Sequence, residues 1–192
     1  MPRFLRILLI LLLIPIFLIG FTVVHEMGHT ILARILGDPA STFYLAKIEE
    51  DSACLGCNIY DYTKLTSSEN LLVSAGGLLA TQIVAIMLLL FSKTVAGTAW
   101  ITRLSGRLAL GFAFLDITVQ GIQGLLYNIE QHTWPTNVDP MDIMLLISAE
   151  TGASQTPMKI ALAGGAAAYL LAFTWLHRYW KNPSQDPVFE RE

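Results

Sequence analysis

Charged side chains are scarce in this sequence. Asp, Glu, Lys and Arg make up 14% of its 192 residues, against about 25% in soluble domains. The apolar fraction is 54%, which is the composition of a small membrane protein rather than of a soluble domain. The net charge of -3 and the lack of a dense basic cluster argue against a nucleic-acid partner.

Cysteine is also scarce, because the chain has one Cys54-x-x-Cys57 pair and no other cysteine. A zinc ribbon would need a second pair, and a thioredoxin-like site would need a βαβ context that the sequence lacks. The pair is therefore interpreted as a small disulfide or as two free thiols in a loop.

Long apolar runs are what the sequence has in place of charge. Each is close to the ~20 residues that cross about 30 Å of hydrocarbon. The four runs are residues 4–24, 71–91, 108–129 and 160–176. The first is expected to continue as a helix to Leu36, where Gly37 and Pro39 end it. Its basic start resembles a signal peptide, but no small-x-small cleavage site precedes residue 25, so an uncleaved span is expected.

The charges are distributed unevenly between the two ends of these spans. Basic residues concentrate on the side that holds both termini and the 92–107 segment: Arg3, Arg6, Lys93, Arg103, Arg107, Arg178, Lys181 and Arg191. The opposite side, 37–70 and 130–159, is predominantly acidic. The positive-inside rule therefore predicts that both termini are cytoplasmic.

The segments on the outer side have patterns of their own. Residues 42–48 and 54–62 alternate like strands around a polar turn, which predicts a β-hairpin. Asp139 before Pro140 predicts the N-cap of a short helix that runs to about residue 150. The predicted fold is an all-α polytopic membrane protein with about four transmembrane helices and a small β-hairpin in the first outer loop. Residues 1–182 are expected to form one domain, and 183–192 a disordered cytoplasmic tail.

The chemistry is concentrated in His25-Glu26-Met27-Gly28-His29, directly behind the first apolar run. This H-E-x-x-H pattern places two imidazoles on one helical face, as zinc ligands, with a carboxylate beside them. Ionisable groups at the end of a membrane-length helix are costly to leave unpaired, which favours a functional site. Glu26 is rotated about 100° from His25 on the helix, so we expect it to act as general base on a zinc-bound water rather than as a ligand.

A catalytic zinc needs a third protein ligand, and depth in the membrane limits the candidates. His25 and His29 lie roughly 30 Å past the cytoplasmic start of the first helix. Asp116, in the third span, lies roughly 13 Å above the same edge, too far away for a bond of about 2 Å. Asp139 and Asp142 lie at the correct depth and are preferred, with helix capping as their alternative role. Two further candidates at that end are Glu130 and His132.

These motifs resemble those of the site-2 protease family of intramembrane zinc metalloproteases. The matching segments are residues 25–29 and Ser74-Ala75-Gly76-Gly77, which is similar to the family's Gly-rich turn. The run 137–142, followed by Thr151-Gly152, resembles the compact bacterial branch. The resemblance extends over roughly residues 1–140. It implies one zinc held by two His and a distant Asp, Glu as base, and cleavage in or beside a transmembrane helix.

The sequence departs from the family pattern in two places. The family's Gly-Pro-x-x-Asn is absent, because Gly77 is followed by Leu78-Leu79-Ala80-Thr81. Its Leu-Asp-Gly is matched in part, by Leu115-Asp116-Ile117. Both departures bear on the third ligand and on how a substrate is held.

The leading hypothesis is a multi-pass, zinc-dependent endopeptidase with one Zn²⁺ per chain. It would act near the non-cytoplasmic face, within membrane lipid, on a transmembrane or membrane-associated protein. Two alternatives are a non-proteolytic membrane protein with a structural or transport zinc site, and a scaffold with a degenerate protease fold. Glu26 distinguishes them, because neither alternative needs a base beside the metal.

Overall fold

The computed structural model describes residues 3–49, 52–94, 99–126, 128 and 138–179. The described part is predominantly helical and contains a small antiparallel sheet, as predicted. The chain divides into two compact units, Met1–Ala80 and Thr81–Glu192. The predicted tail, 183–192, and the candidate ligands Glu130 and His132 lie outside the described residues.

The first unit begins with helix α1, Arg3–Leu36. At 1.5 Å per residue this helix is roughly 51 Å long, which exceeds the thickness of the hydrocarbon core. It ends where the sequence predicted. Gly37 has a φ of 140° and the amide of Asp38 donates to the carbonyl of Ala33 at 2.9 Å.

The predicted hairpin follows. Strand β1, Thr42–Glu49, pairs antiparallel with β2, Ser52–Ile59, in a register that places Thr42 opposite Ile59. Both strands pack against α1. The second strand ends earlier than predicted, because residues Tyr62–Lys64 form a short 3-10 helix.

The predicted second span, 71–91, is interrupted, so the expectation of one continuous helix was wrong. Helix α2, Ser67–Ser74, and helix α3, Gly76–Thr94, are separated at Ala75. A capping box begins α2: the Thr66 hydroxyl accepts from the amide of Glu69, whose carboxylate accepts from the amide of Thr66. The break falls directly before Gly76-Gly77, in the segment that resembles a Gly-rich turn.

The buried carboxylate of Asp38 joins α1 to the segment between β2 and α2. It accepts from the backbone N–H of Asp61 at 2.7 Å and from the Lys64 ammonium at 2.9 Å. These hydrogen bonds, that of the Asp61 amide first, lower the pKa of Asp38 below its ordinary value of 3.8. The same ion pair raises the pKa of Lys64.

The second unit contains the remainder of α3 together with α4, Ala99–Leu126, α5, Asp139–Thr151, and α6, Gln155–Tyr179. Helix α4 begins within the predicted 92–107 loop, so that boundary was wrong. Arg103 and Arg107 suggested a loop at the membrane surface, but a helix can extend past the hydrocarbon and keep charged side chains on its end.

A chain of hydrogen bonds connects three helices of the second unit. Tyr169 of α6 donates to Gln82 Oε1 of α3 at 2.6 Å, and Gln82 Nε2 donates to Thr81 Oγ1 at 3.4 Å. The Thr81 hydroxyl donates in turn to the carboxylate of Asp116 in α4. Thr81 and Asp116 are fully buried. Hydrogen bonds between helices satisfy polar groups that lipid could not.

Among the described residues, four helices are long and apolar enough to cross a membrane. They are Leu11–Leu36, Gly76–Thr94, Trp100–Leu126 and Gln155–Tyr179. Many of their large apolar side chains are exposed, such as Leu12 at 63% and Leu171 at 72%. This surface is consistent with a multi-pass membrane protein.

Candidate metal centre

Helix α1 brings His25 and His29 together because they are four residues apart, slightly more than one turn. Both side chains are buried, at 9% and 6% exposure. Their rings meet edge to face with centroids 4.9 Å apart, and their Nε2 atoms are 3.2 Å apart. A tetrahedral zinc with bonds of about 2.0–2.1 Å separates two nitrogen ligands by about 3.3 Å. The spacing of the two nitrogens is therefore compatible with two ligands of one metal ion.

A backbone carbonyl orients one of the two rings. His29 Nδ1 lies 2.6 Å from the carbonyl oxygen of Val73, near the end of α2. A carbonyl can only accept, so Nδ1 carries the proton and donates it. His29 Nε2 is then left with a lone pair, the form that binds a metal.

The third ligand lies outside the unit that holds the histidines. His25 and His29 belong to the first compact unit, whereas Asp139 and Asp142 belong to the second. The roles of Asp139 and Asp142 as ligands remain predictions.

Asp139 is the first residue of α5 rather than its N-cap, so the capping prediction was wrong. Val138 occupies the cap position with an extended backbone and no side-chain cap, and Pro140 follows within the first turn. The carbonyl of Val138 accepts from the amides of Met141 and Asp142, each at 2.9 Å.

Gln120 supports the carboxylate of Asp139. Its Nε2 donates to Asp139 Oδ2 at 3.2 Å from within α4. Hydrogen bonds of this kind orient carboxylate ligands at metal sites. The hydrogen bond to Asp139 could not be predicted, because it depends on how α4 and α5 pack.

Glu26 lies beside the imidazoles on the same helix, against the backbone of β2. A Cβ built on Gly56 would be 3.1 Å from Glu26 Oε1 and 3.5 Å from its Cγ. Gly56 has a φ of 72°, which is costly for other residues. Glycine therefore allows β2 to approach the carboxylate closely.

Polar side chains fix β2 to α1 next to this contact. Asn58 Nδ2 donates to the Thr30 hydroxyl at 2.5 Å, and that hydroxyl donates to the carbonyl of Glu26 at 3.0 Å. Arg34 Nε donates to the carbonyl of Ser41 at 2.7 Å. Sequence reasoning missed Asn58 and Thr30, because nothing in their spacing indicates a shared contact.

Cys57 is disulfide-bonded, in agreement with the first of the two interpretations of the cysteine pair, a small disulfide.

Glycines also allow α1 and α3 to meet backbone to backbone. A Cβ on Gly28 would lie under 3.0 Å from the carbonyl oxygen of Gly76, and a Cβ on Gly76 would lie 2.9 Å from that of Gly28. The next residue, Gly77, faces the two imidazoles. The Gly76-Gly77 pair that was noted in the sequence therefore lies against the motif.

Asp116 is engaged elsewhere in the fold. It is buried at 1% exposure and accepts the hydrogen bond from Thr81 described above. Its participation in this interhelical chain gives the intramembrane acid a partner. This hydrogen bond gives a structural reason for an acidic residue within the third span.

Comparison of the chain with protein-family models, with curated proteins and with solved structures finds no match. Any assignment of function therefore depends on the residues and on the geometry of the site.

Proposed function

We propose that this protein is a zinc-dependent intramembrane endopeptidase that hydrolyses a peptide bond in or beside a membrane-embedded segment. The observation that carries the proposal is the pair of buried Nε2 atoms, 3.2 Å apart, with Glu26 beside them on a helix long enough to span a membrane. His25, His29 and Asp139 would hold the zinc.

The proposed set of ligands is typical of a catalytic site. Structural zinc is almost always held by four protein ligands, whereas catalytic zinc has three and an open position. The proposed set has three members, His25, His29 and Asp139. When bound there, zinc would act as a Lewis acid and lower the pKa of a water molecule to about 7.

Glu26 would act as the general base and then as the general acid. Its carboxylate accepts a proton from the attacking water and donates it to the nitrogen of the leaving amine. The close approach of β2 at Gly56 limits the directions in which this carboxylate can point. Held in this way, the carboxylate serves proton transfer rather than coordination.

The location of the site follows from the charge distribution. The basic residues favour cytoplasmic termini, and residues 25–29 would then lie in the non-cytoplasmic half of α1. Membrane lipid and a transmembrane or membrane-associated protein are then the partners. The exposed apolar side chains of the long helices support the first of these.

Replacement of Glu26 by Gln tests the proposal, because it removes the base while preserving the shape of the side chain. We expect the cleavage rate to fall by about 10²–10⁴-fold, the usual contribution of a general base, with zinc retained. The protein would be incorporated into lipid nanodiscs with a panel of synthetic single-span peptides. Mass spectrometry would identify the products, and elemental analysis would give the zinc content.

Three outcomes of this experiment separate the hypotheses. Loss of cleavage with zinc retained supports the endopeptidase. Cleavage that survives in Glu26→Gln at the wild-type rate contradicts the assigned base. Zinc bound to a wild-type protein that cleaves none of the panel would favour a structural or transport site.

A further inference from the structure

Two glycines from different elements contact the three chemical side chains of the H-E-x-x-H motif. Gly77 of α3 faces both imidazoles, and Gly56 of β2 faces the carboxylate. We propose that both are positioning residues: Gly77 sets the convergence of His25 and His29, and Gly56 sets the direction of Glu26. The inference rests on the proposed function. It assigns the geometry of metal binding to Gly77 and that of proton transfer to Gly56.

The case for Gly77 comes from what a side chain there would meet. A Cβ would lie under 3.0 Å from Nε2 of both histidines and 2.5 Å from Cε1 of His25. Real Cβ atoms essentially never make such contacts, so both rings would have to turn. The atoms displaced are the two that would bind zinc.

Backbone conformation does not explain a glycine at this position. The glycines with positive φ are Gly37, Gly56 and Gly152, and Gly77 is not one of them. Alanine favours a helix interior more than glycine does, so helix stability alone would prefer Ala at residue 77. Contact with the imidazoles is the structural feature that requires glycine here.

The case for Gly56 combines conformation with contact. Its φ of 72° lies in the left-handed region, and a Cβ would lie 2.5 Å from Thr22 Cγ2 and 3.1 Å from Glu26 Oε1. The second distance is tighter than nine in ten real Cβ contacts. The bond from Asn58 to Thr30 holds the strand in place, so the carboxylate has to give way rather than the strand.

Gly77→Ala tests the first half, with Gly164→Ala as its matched control. Gly164 is also helical, but a Cβ there would meet nothing within 4 Å among the described residues. The affinity for Zn²⁺ would be measured in detergent by competition with a chelating dye, together with thermal unfolding of the metal-free protein. We expect Gly77→Ala to bind zinc about 10–100-fold more weakly, the usual effect of losing an orienting residue. The metal-free melting temperature should not fall, and Gly164→Ala should match wild type.

If Gly77→Ala does not fold, the substitution is repeated together with His25→Ala and His29→Ala. These two changes remove the rings that the new Cβ would strike. If the contact with the imidazoles is the cause, the triple variant folds, which supports the inference. If the triple variant also fails to fold, Gly77 acts through another contact and the inference is overturned.

Gly56→Ala tests the second half, with Gly152→Ala as its control. Gly152 has a φ of 70°, so the backbone strain is matched, but a Cβ there meets nothing within 4 Å among the residues described. We expect Gly56→Ala to keep wild-type zinc affinity and to lose about 100-fold in kcat, the usual effect of a base displaced by about 1 Å. KM should stay unchanged, and Gly152→Ala should retain its activity.

Thr22→Ser separates the two contacts of Gly56. It removes the methyl group that the new Cβ would meet and keeps a hydroxyl for the bond to the carbonyl of Leu18. If the displaced carboxylate causes the defect, adding Thr22→Ser to Gly56→Ala leaves kcat low. Recovery to the wild-type kcat would show that Thr22, not Glu26, is the residue affected.

The outcomes distinguish this inference from the proposed function. Wild-type protein that binds no zinc, or Glu26→Gln that still cleaves, overturns the function and the inference together. Wild-type zinc affinity in Gly77→Ala overturns the assignment of Gly77. Equal kcat in Gly56→Ala and Gly152→Ala overturns that of Gly56, and neither of these results affects the function.

Discussion

At the residue scale, His29 and Asp139 are each held by a neighbouring group that is not itself a proposed metal ligand. The carbonyl of Val73 fixes the proton on His29, and Gln120 donates to Asp139. Such neighbours set the orientation of metal ligands, and their loss typically costs about 10–100-fold in metal affinity. The centre therefore extends beyond the ligands themselves.

The third ligand gives a prediction at this scale. Asp139→Ala is expected to lose zinc, because Asp139 is the proposed third ligand. Asp142→Ala and Asp116→Ala are expected to keep about one zinc per chain. Elemental analysis of the purified variants gives the stoichiometry. Zinc lost in Asp116→Ala but retained in Asp139→Ala would contradict the assignment.

The residues named from the sequence and those found in the structure differ for a physical reason. The spacing within residues 25–29 alone places two imidazoles on one helical face, so the pair could be predicted. The preference for Asp139 and Asp142 over Asp116 depended on a third span that begins after Arg107. Because α4 begins at Ala99, depth along the membrane normal does not separate these candidates. Gln120 and Asn58 act through contacts between elements, and no local pattern encodes them.

At the element scale, helix ends were predictable where Gly or Pro marks them and unpredictable elsewhere. Gly37 and Gly152 end α1 and α5 with positive φ. The break at Ala75 falls directly before Gly76, inside a run with no charge or proline. Gly76 also approaches the backbone of Gly28, and no local pattern encodes that tertiary contact.

The junction after β2 gives a prediction about pH. The folded-state pKa of Asp38 is lowered, so its contribution to stability is present above the ordinary value of 3.8 and is lost as the pH falls below it. The raised pKa of Lys64 acts only in the alkaline range, and its contribution is lost as the pH rises through that value. Melting temperatures between pH 2.5 and 7 would be compared for the metal-free wild type and Asp38→Asn. We expect the wild type to lose more stability on acidification, and parallel curves would contradict the role of Asp38.

At the scale of the whole molecule, the prediction concerns orientation. Ser67 and Thr94 are exposed residues in segments that the charge distribution assigns to opposite faces. A membrane-impermeant maleimide should label Ser67→Cys in intact cells and Thr94→Cys only after lysis. Wild-type protein controls for the native cysteines. The reverse pattern of labelling would invert the topology and move the proposed site to the cytoplasmic face.

The break between α2 and α3 connects helix length to metal chemistry. Helix α2 ends at Ser74, and the carbonyl of Val73, next to last in that helix, accepts from His29. The stopping point of one helix thus selects the tautomer of an imidazole 44 positions earlier in the chain. Substitutions around Ala75 would then change which ring nitrogen of His29 carries the proton, although none of these residues would contact the proposed metal.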